Sequence, residues 1–64
     1  MEYSDQELLD IVEEIDAIAA EVSIQDGRFI EDVLERAYKN PEKPARFSRR
    51  QRQWVMDMKE RYLK

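Results

Sequence analysis

Apolar residues recur at helical spacing in three stretches of this 64-residue chain. Ser4 and Glu7 open the first stretch as a capping box, in which each side chain hydrogen-bonds the backbone N–H of the other residue. If the chain is helical here, one face of the helix contains the apolar residues Leu8, Ile11, Val12, Ile15, Ile18, Ala19 and Val22. The pattern predicts an amphipathic helix over residues 5–22.

The second stretch follows Asp26, which suits a helix N-cap, and Gly27, the only glycine in the chain. Nearly half of the helix circumference is apolar here, through Phe29, Ile30, Val33, Leu34, Ala37 and Tyr38. A face that broad implies two neighbours. We therefore expect a helix over residues 27–39 at the centre of the bundle, with Pro41 ending it.

The third stretch begins with a second capping box, formed by Ser48 and Gln51. It predicts a helix over residues 48–62. One face of this helix is expected to meet the core, with Phe47, Gln51, Trp54, Val55, Met58 and Tyr62. Met56 and Leu63 point the other way and predict an exposed apolar pair among basic side chains.

These three stretches predict an all-α fold, a small three-helix bundle that forms one domain over residues 1–64. The chain has no cysteine and no histidine, so neither disulfides nor zinc can stabilise so small a core, and helix packing must do so. No uncharged stretch is long enough for a membrane helix, and the acidic start does not resemble a signal peptide. We expect a soluble protein of the cytoplasm, or of the host cytoplasm if the chain is phage-encoded.

Charge divides the chain into two unlike parts. Residues 1–27 carry nine acidic residues and no lysine or arginine, whereas residues 28–64 carry eleven basic and six acidic residues. Such asymmetry indicates interaction surfaces, although the acidic part could also neutralise the basic part within one bundle.

The sequence also lacks the groups that most enzymes use. Without histidine or cysteine there is no ordinary pair of nucleophile and base, and no Asp-rich loop or glycine-rich phosphate loop is present. We expect a binding protein that is not an enzyme and has no cofactor and no metal site.

Three sets of residues are candidate binding surfaces. A partner-binding set on the third helix comprises Arg49, Arg52, Met56, Lys59 and Leu63. An overlapping set suits nucleic-acid phosphates and comprises Lys43, Arg46, Arg49, Arg50, Arg52 and Lys59. The acidic back of the first helix, which could imitate a phosphate backbone, comprises Glu7, Asp10, Glu13, Glu14 and Glu21.

From Phe29 to Tyr62 the chain resembles a two-helix segment of small phage and mobile-element proteins and of DNA-replication or recombination proteins. The likeness lies in an apolar residue, a serine, two variable residues and a glutamine (Phe47 to Gln51), followed by an apolar helix that ends in Arg61 and Tyr62. It implies a phage-type helical accessory protein and transfers no active-site residue.

These observations favour a non-catalytic adaptor or inhibitor of phage type, which occupies the surface of a host or phage protein. The alternative is a nucleic-acid-binding accessory protein of DNA metabolism that uses the arginines at the start of the third helix. Leu8, Ile11, Ile15, Ile18 and Val22 also follow coiled-coil spacing, so a homodimer stays open beside either function.

Overall fold

The structure is a computed structural model that describes residues 3–18, 21–39 and 46–63. It contains three helices, α1 (Asp5–Ala17), α2 (Ile24–Lys39) and α3 (Arg49–Tyr62), and no strand within the described residues. The prediction of an all-α three-helix bundle is therefore confirmed. No helix in the described part of the chain is long and apolar enough to cross a membrane.

Both predicted capping boxes are present and set where α1 and α3 begin. The Ser4 backbone N–H donates to Glu7 Oε1 at 3.0 Å, and the Glu7 N–H donates to Ser4 Oγ at 3.2 Å. Ser48 and Gln51 exchange the same two bonds at 2.8 and 3.2 Å. Ser48 is thus the cap, and α3 starts one residue later than predicted.

Helix α1 is shorter than the apolar pattern predicts, because it ends at Ala17 rather than at residue 22. The Ile18 N–H bonds to the Ile15 carbonyl at 3.0 Å, which tightens the last turn. The last turn of α1 contains no basic residue, while Asp16 places a negative charge at the negative end of the helix dipole. Ala19 lies outside the described residues, and Val22 packs on the core from the connection.

Helix α2 starts three residues earlier than predicted, at Ile24. Ser23, not Asp26, caps it: Ser23 Oγ accepts from the Asp26 N–H at 3.2 Å, and the Ser23 carbonyl accepts from the Gly27 N–H at 2.8 Å. Gly27 has no positive φ and lies within the helix, so the prediction that treated it as a boundary was wrong.

Helix α1, rather than α2, is the centre of the bundle, since α1 packs against both α2 and α3. Tyr38 on α2 is 70% exposed, so the apolar face of that helix is narrower than its sequence suggests. The buried core draws on all three helices and consists of Leu8, Ile11, Val12, Ile15, Phe29, Ile30, Val33, Leu34, Phe47, Val55 and Met58. Leu8, Ile11 and Ile15, part of the seam considered for a homodimer, are buried within the single chain.

Candidate interaction surfaces

The start of α3 exposes three of the arginines assigned to nucleic-acid binding. Arg46 precedes the Ser48 cap, Arg49 and Arg50 form the first turn of α3, and all three are exposed. No described acidic side chain forms an ion pair with them. Because bases at a helix N-terminus oppose the dipole, a bound anion would stabilise this arrangement. Lys43, also assigned to this surface, lies outside the described residues.

Arg52, by contrast, is bound within the molecule. Its Nη1 donates to the Tyr3 carbonyl at 2.7 Å, and its Nη2 donates to Asp5 Oδ1 at 2.6 Å. Lys59 Nζ lies 6.0 Å from the centroid of the Tyr3 ring, at the limit of a cation–π contact. The segment before α1 therefore lies along this side of α3. It contacts Arg52 and Lys59, two of the residues predicted to bind a partner.

The prediction that Met56 and Leu63 form an exposed apolar pair was wrong. Both side chains are half-buried and pack against the core, as Tyr3 and Leu9 also do. Helical spacing places Met56 on the same side of α3 as Arg52 and Lys59, the two residues that contact Tyr3. The sequence of α3 alone cannot reveal that a segment about fifty residues earlier meets this side. Of the partner-binding set, Arg49 is exposed, and the other four side chains are half-buried.

The five acidic residues predicted for the back of the first helix are all exposed, but Glu21 lies outside α1. Glu7, Asp10, Glu13 and Glu14 are exposed on α1, and Glu21 is exposed in the connection to α2. No described lysine or arginine forms an ion pair with any of the five. Asp10 accepts a hydrogen bond from Gln6 Nε2 at 3.1 Å, and Glu7 serves the capping box.

Within the part of the chain that the structure describes, few ion pairs join the acidic part to the basic part. Among the described residues, two ion pairs join the acidic part of the chain to the basic part, Arg52 with Asp5 and Arg61 with Asp26. The other two described ion pairs are local to α2, joining Asp32 to Arg36 and Glu35 to Lys39. The Glu35–Lys39 pair lowers the pKa of Glu35 and raises that of Lys39, through a hydrogen bond and opposite charge. Among the described residues, mutual neutralisation of the two parts by ion pairs is therefore limited to the first two contacts.

Trp54, which the sequence predicts against the core, forms a surface feature with Phe29 and Asp26 that the sequence does not predict. The Trp54 side chain lies at the margin of the core and is 38% exposed. Its ring stacks on Phe29 with centroids 4.4 Å apart and planes 13° apart. Its Nε1–H donates to Asp26 Oδ1 at 2.7 Å. Trp54 is thus held by one ring and one hydrogen bond while part of the indole faces solvent.

Asp26 is the buried acid of this arrangement and is 5% exposed. Its Oδ2 accepts from the Tyr62 hydroxyl at 2.7 Å and from Arg61 Nη1 at 3.5 Å. Burial raises the pKa of Asp26, but the hydrogen bonds from Trp54, Tyr62 and Ser23 and the charge of Arg61 lower it more, so the net pKa lies below the ordinary value of 3.8. Asp26 is therefore ionised at neutral pH.

The Tyr62 hydroxyl also accepts from the Ser23 backbone N–H at 3.3 Å. In a capping box the third helical residue reaches back to this N–H. Asp26 occupies that position in α2, and Tyr62 lies between its carboxylate and the N–H of the cap. The start of α2 is therefore completed by a residue of α3.

The described residues contain no group of three or more acidic side chains that could hold a metal ion. Comparisons with protein-family models, curated proteins and solved structures give no match for this chain. The resemblance of residues 29–62 to phage accessory proteins therefore stays a prediction.

Proposed function

We propose that this chain is a non-catalytic adaptor or inhibitor that acts by occupying a basic surface of another protein with the acidic side of α1. The observation that carries the proposal is the exposure of Glu7, Asp10, Glu13 and Glu14 without an ion pair to any described base. The phage origin suggested by the sequence resemblance is part of this proposal.

The spacing of these carboxylates supports a role beyond solubility. Asp10 lies three residues from Glu7 and Glu13 and four from Glu14, so it has three acidic neighbours on the helix surface. Like charges at these spacings destabilise a helix by about 0.2–0.5 kcal/mol per pair. A basic partner would remove this repulsion on binding, and complementary charge would also speed the encounter.

The opposite side of α1 supports the same proposal. Leu8, Val12 and Ile15 are buried to 1% exposure or less, which fixes α1 in the bundle and sets the positions of its outward-facing carboxylates. Binding then needs little ordering of the backbone, so little of the favourable interaction is lost to conformational entropy.

A photo-crosslinker tests this proposal. We would replace Asp10 with p-benzoylphenylalanine and irradiate the protein in lysate of the cells in which it acts. The expected result is an adduct with one basic protein that disappears when Glu13 and Glu14 are changed to lysine. Glu31 on the exposed face of α2 provides the matched control position, which should not give that adduct. The same adduct from both positions, or none from Asp10, would contradict the proposal.

A nucleic-acid-binding accessory protein is the second candidate function. It is favoured by the exposure of Arg46, Arg49 and Arg50 without a described acidic partner. Arg52 and Lys59 support it less, because both contact the segment before α1. Measuring the anisotropy of a labelled oligonucleotide as protein is added tests this candidate, and no binding at low salt would exclude it.

A further inference from the structure

The exposed indole of Trp54 is held in one position by the protein itself. Phe29, itself 8% exposed, supports one face of the ring in a nearly parallel stack. Asp26 fixes the indole edge through the 2.7 Å bond to Nε1. The carboxylate cannot easily turn away, because the Tyr62 hydroxyl holds its other oxygen at 2.7 Å. The part of the ring that remains accessible is therefore presented to solvent without a change of conformation.

Basic side chains flank this ring on α3. Arg50 lies four residues before Trp54 and Arg61 lies seven residues after it, so helical spacing places all three on one side of α3. Arg50 is exposed, and the Arg61 side chain is 64% exposed. Asp57 is the acidic residue nearest in this row, and it accepts a hydrogen bond from Gln53 Nε2 at 3.0 Å. An anion beside Trp54 would meet Arg50 at one end of the row and, at the other end, Arg61, which also contacts Asp26 Oδ2 at 3.5 Å.

We propose that the accessible part of the Trp54 ring stacks on a base of single-stranded nucleic acid, while Arg50 and Arg61 contact the neighbouring phosphates. This inference rests on the nucleic-acid candidate function and is independent of the acidic side of α1. A supported aromatic face next to arginines is the arrangement with which proteins bind single strands irrespective of sequence.

The shape of the site favours a single strand over the other anionic partners. Bases of a duplex are stacked on one another, so an indole reaches their faces only by unstacking the duplex. An acidic peptide would pair with Arg50 and Arg61, but carboxylates do not stack on the flat indole. A nucleotide can stack its base on the ring and pair its phosphates with the two arginines.

Trp54 is the only tryptophan in the chain, so its fluorescence reports on this site directly. The probe is an oligothymidylate of about ten nucleotides, a length within the usual site size of single-strand binders. We expect it to quench the Trp54 emission, with an affinity that falls steeply between about 50 and 200 mM salt.

Variants separate the ring from the charges in a titration of the same oligonucleotide, labelled, followed by anisotropy. Trp54→Leu should weaken binding by about tenfold or more, the usual effect of losing one stacked base. Arg50→Gln should weaken binding and reduce its salt dependence. Arg28→Gln makes the same charge change on an exposed residue of α2 and should leave the affinity unchanged.

Several results would overturn the proposal. One is the absence of Trp54 quenching at about 50 mM salt. Another is an equal affinity of Trp54→Leu and the unchanged protein for the oligonucleotide. A third is an equal affinity of the unchanged protein for the oligonucleotide and for a duplex of the same length. Binding of an oligoglutamate peptide in place of the oligonucleotide would assign the site to an acidic protein instead. If Trp54→Leu loses its helical circular dichroism, Trp54→Phe, which keeps a ring over Phe29, replaces it and should weaken binding less than about tenfold. None of these results bears on the crosslink from α1.

Discussion

Two contacts join α3 to the start of another helix, and they differ mainly in burial. Near the start of α3, Arg52 holds Asp5 and the Tyr3 carbonyl, and the side chains of Arg52 and Asp5 are 35% and 31% exposed. At its other end, Tyr62 and Arg61, with Trp54, hold Asp26, whose side chain is 7% exposed. Each contact pairs an acid in the first turn of one helix with donors on α3.

Burial decides which of the two contacts the fold depends on. A partly exposed ion pair exchanges water for protein partners at little net gain, about 0–1 kcal/mol. A buried carboxylate is no longer hydrated. Removing its donors leaves the carboxylate without hydrogen bonds, and removing the carboxylate leaves the donors without an acceptor. Helices α2 and α3 both pack mainly on α1. The Asp26 hydrogen bonds and the Phe29–Trp54 stack are therefore a large part of the direct contact between α2 and α3.

The largest effect is expected from removing the buried acid. Asp26→Ala takes away the acceptor of Trp54 and Tyr62 and should lower the free energy of unfolding by about 2–3 kcal/mol. That is a large part of the stability of so small a domain. Asp26→Asn keeps one acceptor oxygen and should cost less. Urea unfolding followed by circular dichroism measures both, and an Asp26→Ala midpoint equal to that of the unchanged protein would contradict this account.

Acid should weaken the same contact. The pKa of Asp26 is lower in the folded protein than its ordinary value of 3.8. The stability gained from its ionised form is therefore fully present above 3.8 and is lost as the pH falls through that value towards the folded pKa. Urea unfolding at a series of pH values should show this loss in the unchanged protein. In Asp26→Asn the loss of stability in acid should be smaller, because Asp26 no longer contributes to it. An identical pH dependence of the two proteins would contradict this role of Asp26.

A smaller effect of opposite sign is expected next to Asp26. Gly27 lies in α2 with no positive φ, and a Cβ added there would meet no atom within 4 Å. Gly27→Ala should therefore raise the free energy of unfolding by about 0.5–1 kcal/mol, because alanine loses less backbone entropy in a helix. Thermal unfolding measures the gain. A lower melting temperature would show that Gly27 does not lie within a regular helix.

The smallest effect is expected at the exposed contact. Arg52→Ala should cost less than about 1 kcal/mol, and the cost should shrink as salt is added. Arg49→Ala removes an exposed arginine of the same helix that has no described ion-pair partner, and it provides the control. If Arg52→Ala destabilised the protein as much as Asp26→Ala does, burial would not determine how much each contact contributes to stability.

The parts of the fold that could be predicted from the sequence depend on short-range chemistry. The capping boxes of Ser4 and Ser48 each involve residues three apart, and both are present as predicted. The acidic side of α1 follows from helical periodicity in the same way. The end of α1 was predicted too late, because the apolar pattern continues past residue 17 while the charge at the helix end opposes it.

The features that could not be predicted depend on residues far apart in the chain. Asp26 and Tyr62 are 36 residues apart, and Arg52 and Tyr3 are 49 apart. An aspartate in the first turn of a helix normally faces solvent, so nothing in its local sequence indicates a buried acceptor. A buried carboxylate and a tryptophan with a free N–H are a plausible pair only once the packing of α2 on α3 is known.

Asp26 holds the Trp54 indole in place at the surface through the 2.7 Å hydrogen bond to Nε1. Nuclear magnetic resonance of the single indole N–H tests it most directly, through the rate at which that proton exchanges with water. We expect exchange much slower than that of a free indole at neutral pH, with the protection lost in Asp26→Ala. Exchange in the unchanged protein as fast as that of a free indole would contradict the claim.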